Sequence, residues 1–245
     1  MDGVLIAGKR VIPGAPEFLA RLDAAGAKYL LLTNNPIYTA GDLSYRLDRI
    51  GLHIPPERIF TSGMATASFL AKQRGAGGTA FVIGESGLTE PLHQIGFILT
   101  DHDPEYVILG ETRAYDLEQI TIGVRFVIKG ARFIATNPDV SGPSEHGIEP
   151  ANGAMAALMA TASGIAPFFV GKPNPLMMRM ALNHLGVHSE DTTMIGDRMD
   201  TDIIGGIQAG METTLVLSGV TARTDLGKYS YRPTRIANSV ADLEP

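Results

Sequence analysis

The chain contains no cysteine. That excludes a disulfide framework, a thiolate metal site and a sulfur nucleophile, and it suits a cytoplasmic protein. No basic block occurs, and no stripe of lysine and arginine interleaved with aromatics. Net charge is -6, so a nucleic acid polymer is not an expected partner. A basic region followed by an apolar stretch, the mark of a signal peptide, is missing from the N-terminus. Only the span between Glu149 and Lys172 lacks charge over a length that could cross a bilayer. It is made of Ala, Gly, Ser and Thr rather than Leu. Gly164 and Pro167 split it into a helix-like half, Asn152 to Ser163, and a strand-like half, Phe168 to Gly171. No membrane partner is expected. The six histidines, at 53, 93, 102, 146, 184 and 188, are scattered without metal-ligand spacing.

What is present is apolar residue in quantity. At 245 residues and 44% hydrophobic, the chain can bury one large core or two small ones. Apolar runs at 28–32, 80–83, 106–109, 132–135, 168–170, 192–195 and 214–217 read as strands. Helical patterns at 15–25, 39–50, 64–72, 88–95, 116–129, 152–163, 175–185 and 201–209 alternate with them, and a short helical pattern runs from Arg235 to Leu243. The alternation means βαβ units, an α/β fold and a mostly parallel sheet. Ligands of such sheets sit beyond the carboxyl ends of the strands, so the residues there carry the argument.

Gly75 to Ala80 fits the dinucleotide pattern G-x-G-x-x-A, but a helix precedes it and a strand follows. That order is the reverse of what the motif needs, so it reads as a helix-to-strand loop. Gly84 to Gly87 follows a strand and opens a helix, which fits a tight turn or an anion site.

Four other places carry chemistry. After the apolar run 30–32 come Thr33 and Asn34, a hydroxyl and an amide able to cradle an oxyanion; taken alone they read as an N-cap and turn. After the run 168–170 comes Gly171-Lys172-Pro173, a point charge for phosphate; taken alone Lys172 reads as a solvated surface lysine. After the run 193–195 come Gly196 and Asp197, then Asp200 and Asp202. Three carboxylates in six residues repel one another unless a cation compensates, and hard oxygens at a strand end suit Mg²⁺. A helix N-terminus accounts for Asp200 or Asp202, and less well for Asp197. The fourth place is Asp2-Gly3, just before Val4-Leu5-Ile6.

In this order the set resembles the haloacid dehalogenase (HAD) superfamily of aspartate-nucleophile phosphatases. The stretches LLTNNP, TSGMATASFL, GETRAYD, GARFIATNPD, VGKPNP and LVLSGV resemble its NagD-like branch, ribonucleotide monophosphatases with a C2-type cap. The resemblance covers essentially the whole chain. It implies a Rossmann-like doubly wound parallel-sheet core, residues 1–78 plus 167–245, with an inserted α/β cap at 79–166. It implies a Mg²⁺-dependent phosphomonoesterase in which a first Asp attacks phosphorus. Asp2, matching the second Asp of the pattern D-x-D-G, protonates the leaving oxygen and activates water. Thr33 and Asn34 bind phosphoryl oxygens beside Gly3. Lys172 neutralises nucleophile and phosphate. Asp197 holds Mg²⁺ with the first Asp and the main-chain oxygen of Asp2, and Asp202 supports the metal from behind.

The first Asp, and the strand leading to it, would precede Met1. The expectation is a chain recorded from an internal methionine, or a gene fragment; the alternative is a non-catalytic phosphate-binding relative. If Met1 is the true terminus, its ammonium opposes Mg²⁺. The expected partner is a small phosphorylated substrate, a nucleoside monophosphate such as UMP in this branch. Asn137 and Asp139 of ATNPD either face the leaving group or form a turn with an Asx bond. No oligomeric state is indicated.

Overall fold

The computed structural model describes residues 1–75, 77–144 and 147–244. Along the chain the elements are β1 (Ile6–Ala7), β2 (Arg10–Val11), α1 (Ala15–Ala24), β3 (Leu31–Thr33), α2 (Ala40–Asp48), β4 (Ile59–Thr61), α3 (Ser62–Arg74), β5 (Gly78–Ile83), α4 (Ser86–Gln94), β6 (Phe97–Leu99) and β7 (Tyr106–Leu109). They continue with α5 (Leu117–Ile128), β8 (Arg132–Ala135), β9 (Ser141–Ser144), β10 (Gly147–Pro150), α6 (Asn152–Ser163), β11 (Phe168–Phe169), α7 (Pro175–Leu185) and β12 (Thr193–Gly196). A π-helical turn, Met199–Ile203, then leads into α8 (Ile204–Gln208), followed by β13 (Glu212–Val216) and β14 (Arg235–Ala237). Among the described residues no helix is long and apolar enough to cross a membrane. His146 lies outside the described residues, as does Ala76 of the rejected glycine motif.

The chain forms two compact units. The first is Met1–Leu32, Gly41–Phe60 and Lys172–Pro245; the second is Thr33–Ala40 and Thr61–Gly171. In the first unit β12, β13 and β14 form a parallel sheet in that order, with Gly196 opposite Leu215 and Leu215 opposite Ile236. The segment from Arg235, expected to be helical, therefore begins as a strand. Thr213 and Thr234 exchange backbone-to-hydroxyl bonds of 3.0 and 3.1 Å that set it beside β13, and only a short turn at Val240–Asp242 is helical. Met199, Ile203 and Leu215 make the core under the site, covered by Leu217, Leu226, Tyr229 and Tyr231. Helix α7 has Pro175 in its first turn, Asn174 accepting from the Leu176 N–H at 3.0 Å, and Gly186 in the left-handed conformation at its end. Those signals stop and start a helix locally, which is why both its ends were legible.

The second unit carries a five-stranded parallel sheet in the order β11-β8-β7-β5-β6. All four residues of β7 are buried, as expected for a central strand covered on both faces. Ile83, Val107, Leu109, Phe133, Ala156 and Met159 are its core. Helices α3 and α4 touch backbone to backbone: a Cβ on Gly63 would lie 2.1 Å from the Gly87 carbonyl oxygen. That contact joins residues 61–78 to the second unit, whose boundary falls at Thr61. An antiparallel hairpin, β9 with β10, precedes α6.

Candidate active site

Strand β12 delivers Asp197 just past Gly196, and the carboxylate is buried. Its Oδ2 accepts the Val220 N–H at 2.9 Å, and its main-chain oxygen accepts the Thr221 N–H at 3.1 Å. Two glycines flank the same oxygen. A Cβ on Gly3 would come within 2.2 Å of Oδ2, and one on Gly219 within 2.1 Å. Burial pushes the Asp197 carboxyl above its ordinary range and Asp202 adds to this, against the Val220 N–H, the Met1 amino group and Lys172.

Lys172, which alone reads as a surface lysine, is 7% exposed. Its Nζ donates to Asp202 Oδ1 at 2.8 Å. The other Asp202 oxygen accepts the N–H groups of Asp197 at 3.2 Å and Arg198 at 3.3 Å. Burial pushes Asp202 up, but Lys172 and the Met1 amino group, together with these hydrogen bonds, outweigh it and hold the carboxyl below its ordinary range. Asp200, the third acid of the run, instead pairs with Arg198 at 2.8 Å, half exposed. Among the described residues no three histidines or acids gather as a metal cage.

Asp2 is exposed on a tight turn. Gly3 takes φ +73° there, a left-handed value that favours glycine, and donates to the Ile6 carbonyl at 2.7 Å. The Gly3 carbonyl accepts the Ser218 hydroxyl at 2.7 Å. Burial, then Lys172, lowers the basicity of the Met1 amino group, while Asp202, Asp2 and Asp197 oppose the change. The first unit thus brings Asp2, Gly3, Lys172, Asp197 and Asp202 together. The residues that sequence reasoning left unassigned are Ser218, Gly219, Val220 and Thr221. Their signals were position, directly beyond β13, and, for the first three, the stretch LVLSGV that carried the resemblance.

The second unit gathers Thr33, Asn34, Asn137 and Asp139. Thr33 is buried at the end of β3, and its Oγ1 accepts the Asn35 N–H at 3.2 Å. Asn34 Nδ2 donates to Asp139 Oδ2 at 2.9 Å. The Asn34 carbonyl accepts the Ser62 hydroxyl at 2.5 Å and Asn137 Nδ2 at 2.8 Å. Asn137 is fully enclosed, and its Oδ1 accepts the Asp139 N–H at 3.1 Å, the Asx bond. Asn152, at the start of α6, donates to the Asn137 carbonyl at 2.9 Å. Burial, then Asp139, pushes the nearby Glu111 carboxyl up, against Arg113.

Comparison with known proteins accords with this chemistry. A haloacid dehalogenase-like hydrolase family model matches residues 1–98, and a second HAD-like hydrolase model matches 169–243. Over 243 residues the chain is 56% identical to dihydroxyacetone phosphatase of Corynebacterium glutamicum, covering 99% of this chain and 88% of that protein. Over 244 residues it is 45% identical to the ribonucleotide monophosphatase NagD of Escherichia coli, covering 100% and 96%. The solved structure of E. coli NagD superposes with a TM-score of 0.93 at 45% identity, over 100% of this chain and 96% of that one.

Proposed function

Because this chain belongs to the haloacid dehalogenase-like hydrolases and is a phosphatase of their NagD-like branch, we propose that it hydrolyses small phosphate monoesters with Mg²⁺ through an aspartyl-phosphate. The observation that carries this is a buried set of side chains: Asp197 just beyond β12, beside the Lys172–Asp202 ion pair. Asp197 fits a hard cation. It is a buried carboxylate, and no described residue bonds its Oδ1. Mg²⁺ keeps several waters and needs only one or two carboxylates. Asp197 and the main-chain oxygen of Asp2 would hold it. Asp202, its two oxygens engaged by Lys172 and by backbone N–H groups, supports from behind. When bound, the ion supplies charge neutralisation to the transferring phosphoryl group.

In this reading Asp2 gives a proton to the leaving oxygen and later takes one from water. Lys172, its Nζ aimed by Asp202, neutralises phosphoryl charge. Thr33 and Asn34 bind phosphoryl oxygens, and Asn137 and Asp139 brace Asn34. In the pattern D-x-D-G the attacking carboxylate stands two residues ahead of Asp2. The substrate is a nucleoside monophosphate such as UMP, by likeness to NagD. Dihydroxyacetone phosphate is the second reading, favoured by the 56% identity to a phosphatase named for it.

The test is phosphate release from UMP, dihydroxyacetone phosphate and p-nitrophenyl phosphate by the chain carrying an aspartate two residues ahead of Asp2. Turnover that needs Mg²⁺, and that vanishes when this aspartate becomes Asn, is expected. Residues 1–245 alone should stay at background. Robust turnover by them would demand another nucleophile, and no turnover by the longer chain would leave a phosphate-binding pseudo-enzyme.

A further inference from the structure

The stretch LVLSGV, residues 215–220, runs from the end of β13 to the Asp197 carboxylate. Its start is rigid. The Leu217 N–H bonds the Ala237 carbonyl at 3.0 Å, the last rung between β13 and β14. Three residues later the chain is pinned again, by the Val220 N–H on Asp197 Oδ2 and the Thr221 N–H on the Asp197 carbonyl. The Thr221 hydroxyl in turn accepts the Met199 N–H at 3.2 Å. Ser218 sits between these two anchors, and its hydroxyl reaches a carbonyl 215 positions away, that of Gly3.

Among the described residues the turn carrying Asp2 is otherwise closed by bonds within residues 1–12, among them the Ile12 N–H on the Leu5 carbonyl at 2.9 Å. Val4 and Leu5 donate to the Met1 carbonyl at 3.2 and 3.0 Å, and Gly3 donates to Ile6. Asp2 is exposed, and no described residue hydrogen-bonds its carboxylate. Its direction is therefore set by the backbone of the turn, and Ser218 ties that backbone to the sheet.

We propose that Ser218 is a positioning residue for proton transfer: its hydroxyl, held between β13 and Asp197, fixes the Gly3 carbonyl and so aims the Asp2 carboxyl at the leaving-group oxygen. The proposal rests on Asp2 being the acid and base of the reaction. It makes one loop the common mount of the proton donor and the metal carboxylate.

The leaving group provides the test. An alkoxide leaves only with a proton, whereas p-nitrophenolate leaves as a stable anion and gains little from an acid. In the chain with the added aspartate, Ser218→Ala should lower kcat on dihydroxyacetone phosphate or UMP about tenfold, the worth of one hydrogen bond, and lower it on p-nitrophenyl phosphate by less than about twofold. Ser218→Thr, which keeps the hydroxyl, should restore the alkyl phosphates. In residues 1–245 alone, Ser218→Ala should speed hydrogen exchange at the Gly3 amide. Asp2→Asn is the reference. If it fails to discriminate between the two leaving groups, Asp2 is not the acid and the reading beneath falls. If it discriminates while Ser218→Ala lowers both substrates equally, or Thr does not rescue, Ser218 acts through packing and the proposal is overturned. Unchanged Gly3 exchange would overturn it as well.

Discussion

Lys172 Nζ lies 2.8 Å from Asp202 Oδ1, and both side chains are almost shut off from water. Removing one partner of a buried pair strands the other charge, at about 3–5 kcal/mol. Asp202→Ala and Lys172→Met should each lower unfolding free energy by that order in urea melts. The double variant Lys172→Met with Asp202→Leu should lose much less than the sum. Additive losses would show that the pair is not coupled.

The depressed pKa of Asp202 has a defined sign. A carboxyl whose folded pKa is lowered contributes stability above its unfolded pKa and loses it as pH falls through the folded value. Stability of the wild type should therefore hold above the ordinary carboxylate pKa, begin to fall as pH reaches it, and go on falling until pH passes the lowered folded value. Asp202→Asn should flatten that acid limb in melts followed against pH. A wild-type limb that survives in the variant would assign it to other groups.

Asp197 carries the opposite sign. Its raised pKa means that the folded chain holds the proton more tightly, so its contribution is present below the unfolded pKa and lost as pH rises through the folded one. At neutral pH the bare carboxylate opposes folding and a cation relieves it. Asp197→Asn should raise Tm in the presence of a chelator, while the Tm increase that Mg²⁺ gives the wild type through binding to the native state should vanish. An equal Mg²⁺ shift in the variant would remove Asp197 from the metal.

Gly219 tests the flank of the same carboxylate. Its φ is not left-handed, so the obstacle to a side chain there is contact alone, 2.1 Å from Cβ to Asp197 Oδ2. Gly219→Ala should weaken Mg²⁺ binding about tenfold or more by calorimetry, with a stability loss of about 1–3 kcal/mol from overpacking. Unaltered Mg²⁺ affinity would mean that the loop yields and Asp197 does not.

Asn34 and Asp139 share a partly buried hydrogen bond to a carboxylate across 105 residues of sequence. A double-mutant cycle of Asn34→Ala and Asp139→Ala should give a coupling of about 1–2 kcal/mol in stability. Asp139→Asn, which keeps an acceptor oxygen, should retain most of it. Additive single losses would show that the two side chains do not depend on each other.

Local chemistry was enough for several elements. The apolar runs at 106–109 and 132–135 are β7 and β8, α7 begins and ends where Asn174 and Gly186 place it, and α6 ends at Gly164. The strand-end rule also pointed to Asp197, which follows directly on β12, and to Lys172, which lies just beyond the end of β11. The strands β1, β2, β6 and β14, two or three residues each, carry too little periodicity to be read. For β14 a helical pattern misled, since its pairing with β13 depends on threonines 21 residues apart.

What the sequence determined by itself was the kind of chemistry: carboxylates, a lysine and a hydroxyl-amide pair, each at a strand end of an α/β chain. Only the tertiary structure decided what each group faces. It buried Lys172 against Asp202, left Asp200 with Arg198, spent the amide of Asn137 on Asn34, and brought Ser218 to Gly3. Each of these is a contact between segments whose approach is set by sheet order and core packing, and residue type and spacing carry no record of it.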